Sequence, residues 1–204
     1  APKISDIKKP LEYLSRAIKE NDLKGKVRLA LDVAASSFYE PASTQGGNGF
    51  YKIDDKNISK EELMNIYNSL ITEFDLLSIE DPFDEEDFEG FAELVKSCNC
   101  LIVGDDLTVT NFKRTEKAIK MEAITGIIIK PNQTGSLIEV KKIIDLCQKF
   151  NIKTIMSHRS GETEDNTIAD LAFAWQCDFI KTPVIGKERL AKVNRLIEIE
   201  MKLK

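Results

Sequence analysis

Six apolar runs in this chain each end on a charged or polar residue that could do chemistry. VRLALD ends at Asp32, LLSIED at Glu80 and Asp81, and LIVGDD at Asp105 and Asp106. GIIIK ends at Lys130, TIMSHRS runs into His158, Arg159 and Ser160, and FIK ends at Lys181. Carboxylates from three runs, Asp32, Glu80 and Asp105, suit a hard divalent cation such as Mg²⁺, which prefers oxygen ligands and leaves places for water or substrate. The competing reading of each acid is a helix cap or a partner for a surface base. A lysine closing so apolar a run lies near positive charge and is partly desolvated. Both effects lower its pKa toward the range of a general base. The other reading of Lys130 is an ion pair with one of the acids, and Lys181 has the same two readings. As a second cation, Lys181 could bind a substrate carboxylate. Arg159 and Ser160 together suit a phosphate group, because arginine offers a planar fork of donors and serine a hydroxyl. His158 is the only histidine of the chain.

Parallel strands followed by helices would carry such residues to one edge. The runs predict strands over 27–31, 76–79, 101–103, 127–129, 154–156 and 179–180, with stretches of helical period between them. From Glu80 the marker residues fall at 80, 105, 130, 158 and 181, which are intervals of 25, 25, 28 and 23 residues. That spacing suits one βα unit per step. An open doubly wound sheet delivers its chemistry at one switch point. Here every strand ends in a functional type, which favours a (β/α)8 barrel. Six units are counted, and a closed eight-stranded barrel needs two more. Ser59 with Glu62, and Ser136 with Glu139, have the spacing of capping boxes. Thr110 or Asn111 is expected to cap the helix that follows. The polar, Gly-rich stretch 40–55 reads as a loop or hairpin in which Phe50, Tyr51 and Ile53 form a short strand.

A chain of 204 residues, 42% hydrophobic, can bury a substantial core. Its net charge of -5, with basic residues scattered, gives no reason to expect nucleic-acid binding. No apolar run approaches the roughly 20 residues of a membrane span. The start, APKISDIKKP, lacks the apolar segment of a signal peptide, so a cytoplasmic protein is expected. Four cysteines occur, and Cys98-Asn99-Cys100 is too closely spaced for the common zinc knuckle. Reduced, structural thiols are the expectation.

ALDVAASSFY, SIEDPFDEEDF, VGDDLTVTN, IIIKPNQTGS, SHRSGETEDNTIADLAFA and IKTPVIGKERLAKVNRLIEIE together resemble the signature blocks of the enolase family, in the family's order and almost end to end. The KPNQ wording is more similar to archaeal enolases than to animal ones. The resemblance implies the C-terminal part, residues 1–204, of a TIM-type catalytic barrel that dehydrates 2-phosphoglycerate reversibly to phosphoenolpyruvate. It implies that Asp32, Glu80 and Asp105 hold Mg²⁺ and that Lys130 is the base. It further implies that Arg159 and Ser160 contact phosphate, that His158 lies beside the substrate, and that Lys181 meets the carboxylate. Enolase-superfamily sites are themselves a standard example of a Lys or His base working beside Mg²⁺. One departure is Pro183, where most of the family has glycine after Lys-Thr; proline removes a donor and fixes φ. The other is that the family's N-terminal domain, first two barrel strands and general-acid glutamate have no counterpart among these residues. The resemblance therefore implies a second portion, on a separate chain or as further sequence, and a homo-oligomer. The competing readings are a non-catalytic enolase-like scaffold and a different lyase or racemase of the superfamily.

Overall fold

The computed structural model describes residues 7–42, 49–53 and 56–204, so Gly46, Gly47 and the first six residues lie outside the description. The chain divides into two compact units, Ala1–Val103 and Gly104–Lys204.

The first unit opens with helix α1 (Lys9–Glu20), which has proline in its first turn, where a missing N–H costs nothing. Strand β1 (Ala30–Asp32) follows. A small antiparallel sheet comes next, made of β2 (Tyr39–Glu40), β3 (Phe50–Ile53) and β4 (Lys56–Ile58). Helix α2 (Lys60–Phe74), β5 (Ser78–Glu80), α3 (Phe88–Ser97) and β6 (Leu101–Gly104) complete the series. β1, β5 and β6 are parallel, with Asp32 opposite Glu80 and Glu80 opposite Val103. β1 begins three residues later than the apolar run predicts. The Val27 N–H is bonded to the Leu23 carbonyl at 3.2 Å, across a turn in which Gly25 has φ +79°, so it is not available to the ladder.

The second unit contains α4 (Phe112–Lys120), β7 (Gly126–Ile129), α5 (Pro131–Thr134), α6 (Leu137–Lys149) and β8 (Lys153–Ser157). α7 (Thr167–Ala174), β9 (Phe179–Lys181) and α8 (Lys187–Leu203) follow. β7 pairs parallel with β8, and β8 with β9. All four residues of β7 are buried, as expected of a parallel strand covered on both faces. Val140, Ile143, Ile144 and Cys147 of α6 add to this core. Among the described residues no helix is long and apolar enough to cross a membrane.

The two capping patterns part company here. Ser59 forms the full box: its hydroxyl accepts from Glu62 N–H at 3.2 Å and its own N–H donates to Glu62 Oε2 at 2.8 Å. Ser136 makes no side-chain cap, so the second predicted box is corrected. Its backbone N–H and carbonyl engage the Thr134 hydroxyl instead, and Glu139 is exposed. Replacing Ser59 by Ala is therefore expected to cost about 1 kcal/mol. Replacing Ser136 by Ala should change stability by less than about 0.5 kcal/mol. Urea-denaturation midpoints of the two variants check this, and equal losses would contradict it.

Candidate active site

In the first unit the register sets Asp32 and Glu80 side by side at the C-terminal ends of β1 and β5. Register partners on neighbouring strands project from the same face, so the two carboxylates share one side of the sheet. Asp32 is exposed and Glu80 is buried. The chain just beyond Glu80 is held by aromatic packing. The Phe83 ring lies 5.8 Å from Tyr67, 6.1 Å from Phe91 and 6.3 Å from Tyr51. The Tyr67 hydroxyl donates to the Pro82 carbonyl at 2.7 Å, and Asp84 N–H donates to the Tyr51 hydroxyl at 3.0 Å. Burial pushes both tyrosines above their ordinary pKa, so the Tyr67 proton that makes its bond is retained. Asp81 turns the backbone out of the strand with φ 45°. A left-handed conformation costs a non-glycine residue roughly 1–2 kcal/mol.

In the second unit Asp105 directly follows β6 and Lys130 directly follows β7. The Lys130 ammonium pairs with Asp105 Oδ2, and both side chains are largely buried. The ion pair of the second reading is present. It keeps the amine beside a predicted cation ligand. The Lys130 backbone is clamped from the preceding loop: the buried Thr110 hydroxyl accepts from Lys130 N–H at 2.9 Å and donates to Gln133 Oε1 at 2.7 Å. Val109 and Thr110 have φ 43° and 49°, both β-branched and both left-handed. Such strain of about 1–3 kcal/mol per residue persists only where surrounding contacts enforce it.

Arg159 leaves the loop after β8 and reaches the segment after Lys130, donating to Asn132 Oδ1 at 3.3 Å. Its backbone N–H donates to Glu162 Oε1 at 2.8 Å. His158 N–H donates to the Lys181 carbonyl at 3.2 Å, continuing a register in which Ser157 faces Lys181. Burial first, and then the positive Arg189 and Lys181, hold the imidazole below its usual pKa against the raising effects of the Arg159 backbone and Glu162. Its Nδ1 is buried with no hydrogen-bond partner. Ser160 is exposed in the same loop, Lys181 is half-buried, and Pro183 is exposed two residues beyond β9. Three successive strand ends of this unit thus carry a base candidate, a loop with an arginine and a serine, and a second lysine.

The family model described as "Enolase, C-terminal TIM barrel domain" matches residues 1–204. The chain belongs to the enolase family. It is 43% identical over 205 residues to an enolase of Methanocaldococcus jannaschii, covering 100% of this chain and 47% of that protein. It is 42% identical over 202 residues to an enolase of Metallosphaera sedula, covering 98% and 47%. It is 45% identical over 205 residues to one from Methanocorpusculum labreanum, covering 98% and 50%. The chain spans about half the length of these curated, archaeal relatives. The fold is the TIM barrel of this family, to which the chain contributes six parallel strands with helices between them, three strands in each unit.

Sequence reasoning missed two residues that position the enolase-family loops. Thr110 was expected at most as a cap; Asn111 does the capping, its Oδ1 accepting from Lys113 and Arg114 N–H. Lys192 of α8 was not singled out at all. Its side chain is 0% exposed, and its ammonium donates to Glu162 Oε2 at 2.7 Å, to the Glu188 carbonyl at 2.7 Å and to the Thr163 carbonyl at 2.5 Å. Glu162 in turn holds Arg159, so one buried cation orders the loop from Arg159 to Thr163. The available signal was spacing: Lys192 stands four and seven residues before Leu196 and Ile199, on an apolar stripe.

Two outcomes are expected. Lys192→Met leaves Glu162 without its buried cation and should cost roughly 3–5 kcal/mol, read from denaturation midpoints; a loss below about 1 kcal/mol would contradict this account of the loop. The single imidazole signal in an NMR titration should have its midpoint below about 6.5, and Lys181→Met should raise it. The folded chain binds this proton less tightly than the unfolded chain. The stability contributed by neutral His158 is therefore present above about pH 6.5 and declines as the pH falls below it. A midpoint at or above the ordinary value would refute the assignment.

Proposed function

We propose that this chain, as the C-terminal part of an enolase catalytic barrel, supplies the base and the phosphate-binding side of an enolase site. That site would interconvert 2-phosphoglycerate and phosphoenolpyruvate by reversible dehydration, a hydro-lyase reaction of glycolysis and gluconeogenesis. The observation that supports this most is the contact of Lys130 with Asp105 at the ends of successive strands. A base candidate and a candidate cation ligand share one place.

The C2 proton of 2-phosphoglycerate is weakly acidic because the neighbouring carboxylate is already anionic. Lys130, once its ammonium has given up a proton, takes the C2 proton on Nζ. Lys181 offers its ammonium to the substrate carboxylate, where negative charge builds as the proton leaves. Arg159 and Ser160 bind the phosphate and so fix C2 relative to Lys130. His158, held neutral, can hydrogen-bond beside the substrate without adding charge. Asp32, Glu80 and Asp105 would supply the all-oxygen donors that Mg²⁺ takes, and the Lys130 amine rests on one of them. When bound there, Mg²⁺ supplies positive charge that lowers the cost of the developing dianion. The general acid comes from the N-terminal enolase portion, and the working enzyme is a cytoplasmic homo-oligomer.

The test is phosphoenolpyruvate formation in Mg²⁺ by the purified chain, alone and mixed with the N-terminal half of the Methanocaldococcus jannaschii relative. The chain alone should be inactive and the mixture active. Lys130→Met in the mixture should lower the rate by roughly 10²–10⁴-fold, and chelation of Mg²⁺ should abolish it reversibly. Full activity of the chain alone would overturn the division of the site. Failure of the mixture to bind a phosphonate analogue in Mg²⁺ would favour the scaffold reading.

A further inference from the structure

At the opposite end of β6 from Asp105, where the chain leaves α3, two thiols face each other. Cys98 ends the helix and Cys100 immediately precedes the strand. The extended backbone of Cys98, with φ -140° and ψ 167°, puts the side chains two residues apart on one side, while Asn99 points to solvent. Their sulfurs lie 3.8 Å apart, and the Cys98 sulfur is also 4.0 Å from the Cys100 carbonyl oxygen. Both thiols are free and partly exposed. The pair lies at the end of β6 away from Asp105 and includes no residue given a role above, so it stands independently of the proposed function.

We propose that Cys98 and Cys100 form a hydroperoxide-responsive pair that closes an intramolecular disulfide. Redox-sensing cysteines are accessible, rich in thiolate and poised beside a resolving thiol, and this pair has each attribute. The Cys100 thiol donating to Cys98 holds Cys98 down at about 7, whereas the same contact, followed by burial, pushes Cys100 up. The other two thiols lack this arrangement: burial pushes Cys147 up to about 12 and Cys177 up to about 11. In the first step the Cys98 thiolate attacks one peroxide oxygen, the O–O bond breaks, and hydroxide leaves and is protonated to water. Cys98 is then a sulfenic acid. In the second step the Cys100 sulfur attacks the Cys98 sulfur and the S–O bond breaks. The departing hydroxide takes the Cys100 proton as a second water. Two thiols and one hydrogen peroxide give one disulfide and two waters, and the two electrons lost by sulfur reduce the peroxide.

Trypsin cuts after Lys96 and Lys113, so peptide 97–113 carries both residues and no other cysteine. The folded chain is treated with one equivalent of hydrogen peroxide, alkylated under denaturing conditions without reductant, digested and weighed. The expected peptide has lost two hydrogens and takes up no alkylating group, while Cys147 and Cys177 alkylate fully. The rate should rise with pH through a midpoint at about 7 and then level off. Cys100→Ser should stop at a sulfenic acid on Cys98 that a dimedone probe captures, and Cys98→Ser should leave Cys100 alkylatable. A wild-type peptide that remains doubly alkylated, or that is oxidised no faster than Cys147 and Cys177, overturns the proposal. So does a Cys98→Ser variant whose Cys100 reacts as fast as wild-type Cys98.

Discussion

Parallel strands paired in register finish level with one another, so the residue that ends or follows each strand is carried to its neighbour's edge. The chemistry of this chain depends on that constraint in both units. Asp32 stands opposite Glu80 in one. In the other, Lys130 follows Ile129, whose partner is Met156, and Ser157 stands opposite Lys181. A shift of one residue would turn every one of these side chains to the other face. What resists such a shift in the second unit is the buried row Ile127, Ile128 and Ile129, whose bulk fits one alignment against β8. In the first unit it is the Tyr51, Tyr67, Phe83 and Phe91 cluster behind the end of β5.

Three positive groups of the second unit are held in different ways, and the difference bears on function. Lys130 rests on a carboxylate. Lys192 is enclosed by one carboxylate and two backbone carbonyls. The Arg159 side chain bonds to the neutral amide of Asn132, which orients the guanidinium without cancelling its charge. An arginine steered in this way keeps its attraction for an anion. A lysine enclosed like Lys192 acts on structure instead, through the Glu162 carboxylate that it holds.

Much of this was legible in the residues. The apolar runs and their polar ends gave the six parallel strands, because burial on both faces demands continuous apolar sequence and the chemistry must sit where a strand stops. Ser59 and Glu62 revealed their helix because both halves of that cap are local. Ser136 and Glu139 misled for the opposite reason: the pattern is local, but Thr134, two residues earlier, competes for the serine backbone. Val27 misled because a turn at Gly25 takes its N–H. Thr110 and Lys192 were hidden because their roles arise from contacts 20 and 29–30 residues away in the chain, with Lys130 and with Glu162 and Thr163. No local pattern encodes such distances.

The enclosure of Lys192 also makes that amine chemically silent. Acetylating enzymes, amine-reactive labels and proteases that recognise lysine all need the side chain to leave its surroundings first, and a 0% exposed ammonium with three acceptors cannot do so while α8 stays docked. Lys187 and Lys202, on the same helix, carry no such restraint and are exposed. α8 therefore holds both a reference amine and a concealed one. The ratio of their reactivities marks whether the Arg159 loop is still assembled, with no need for substrate, metal or turnover.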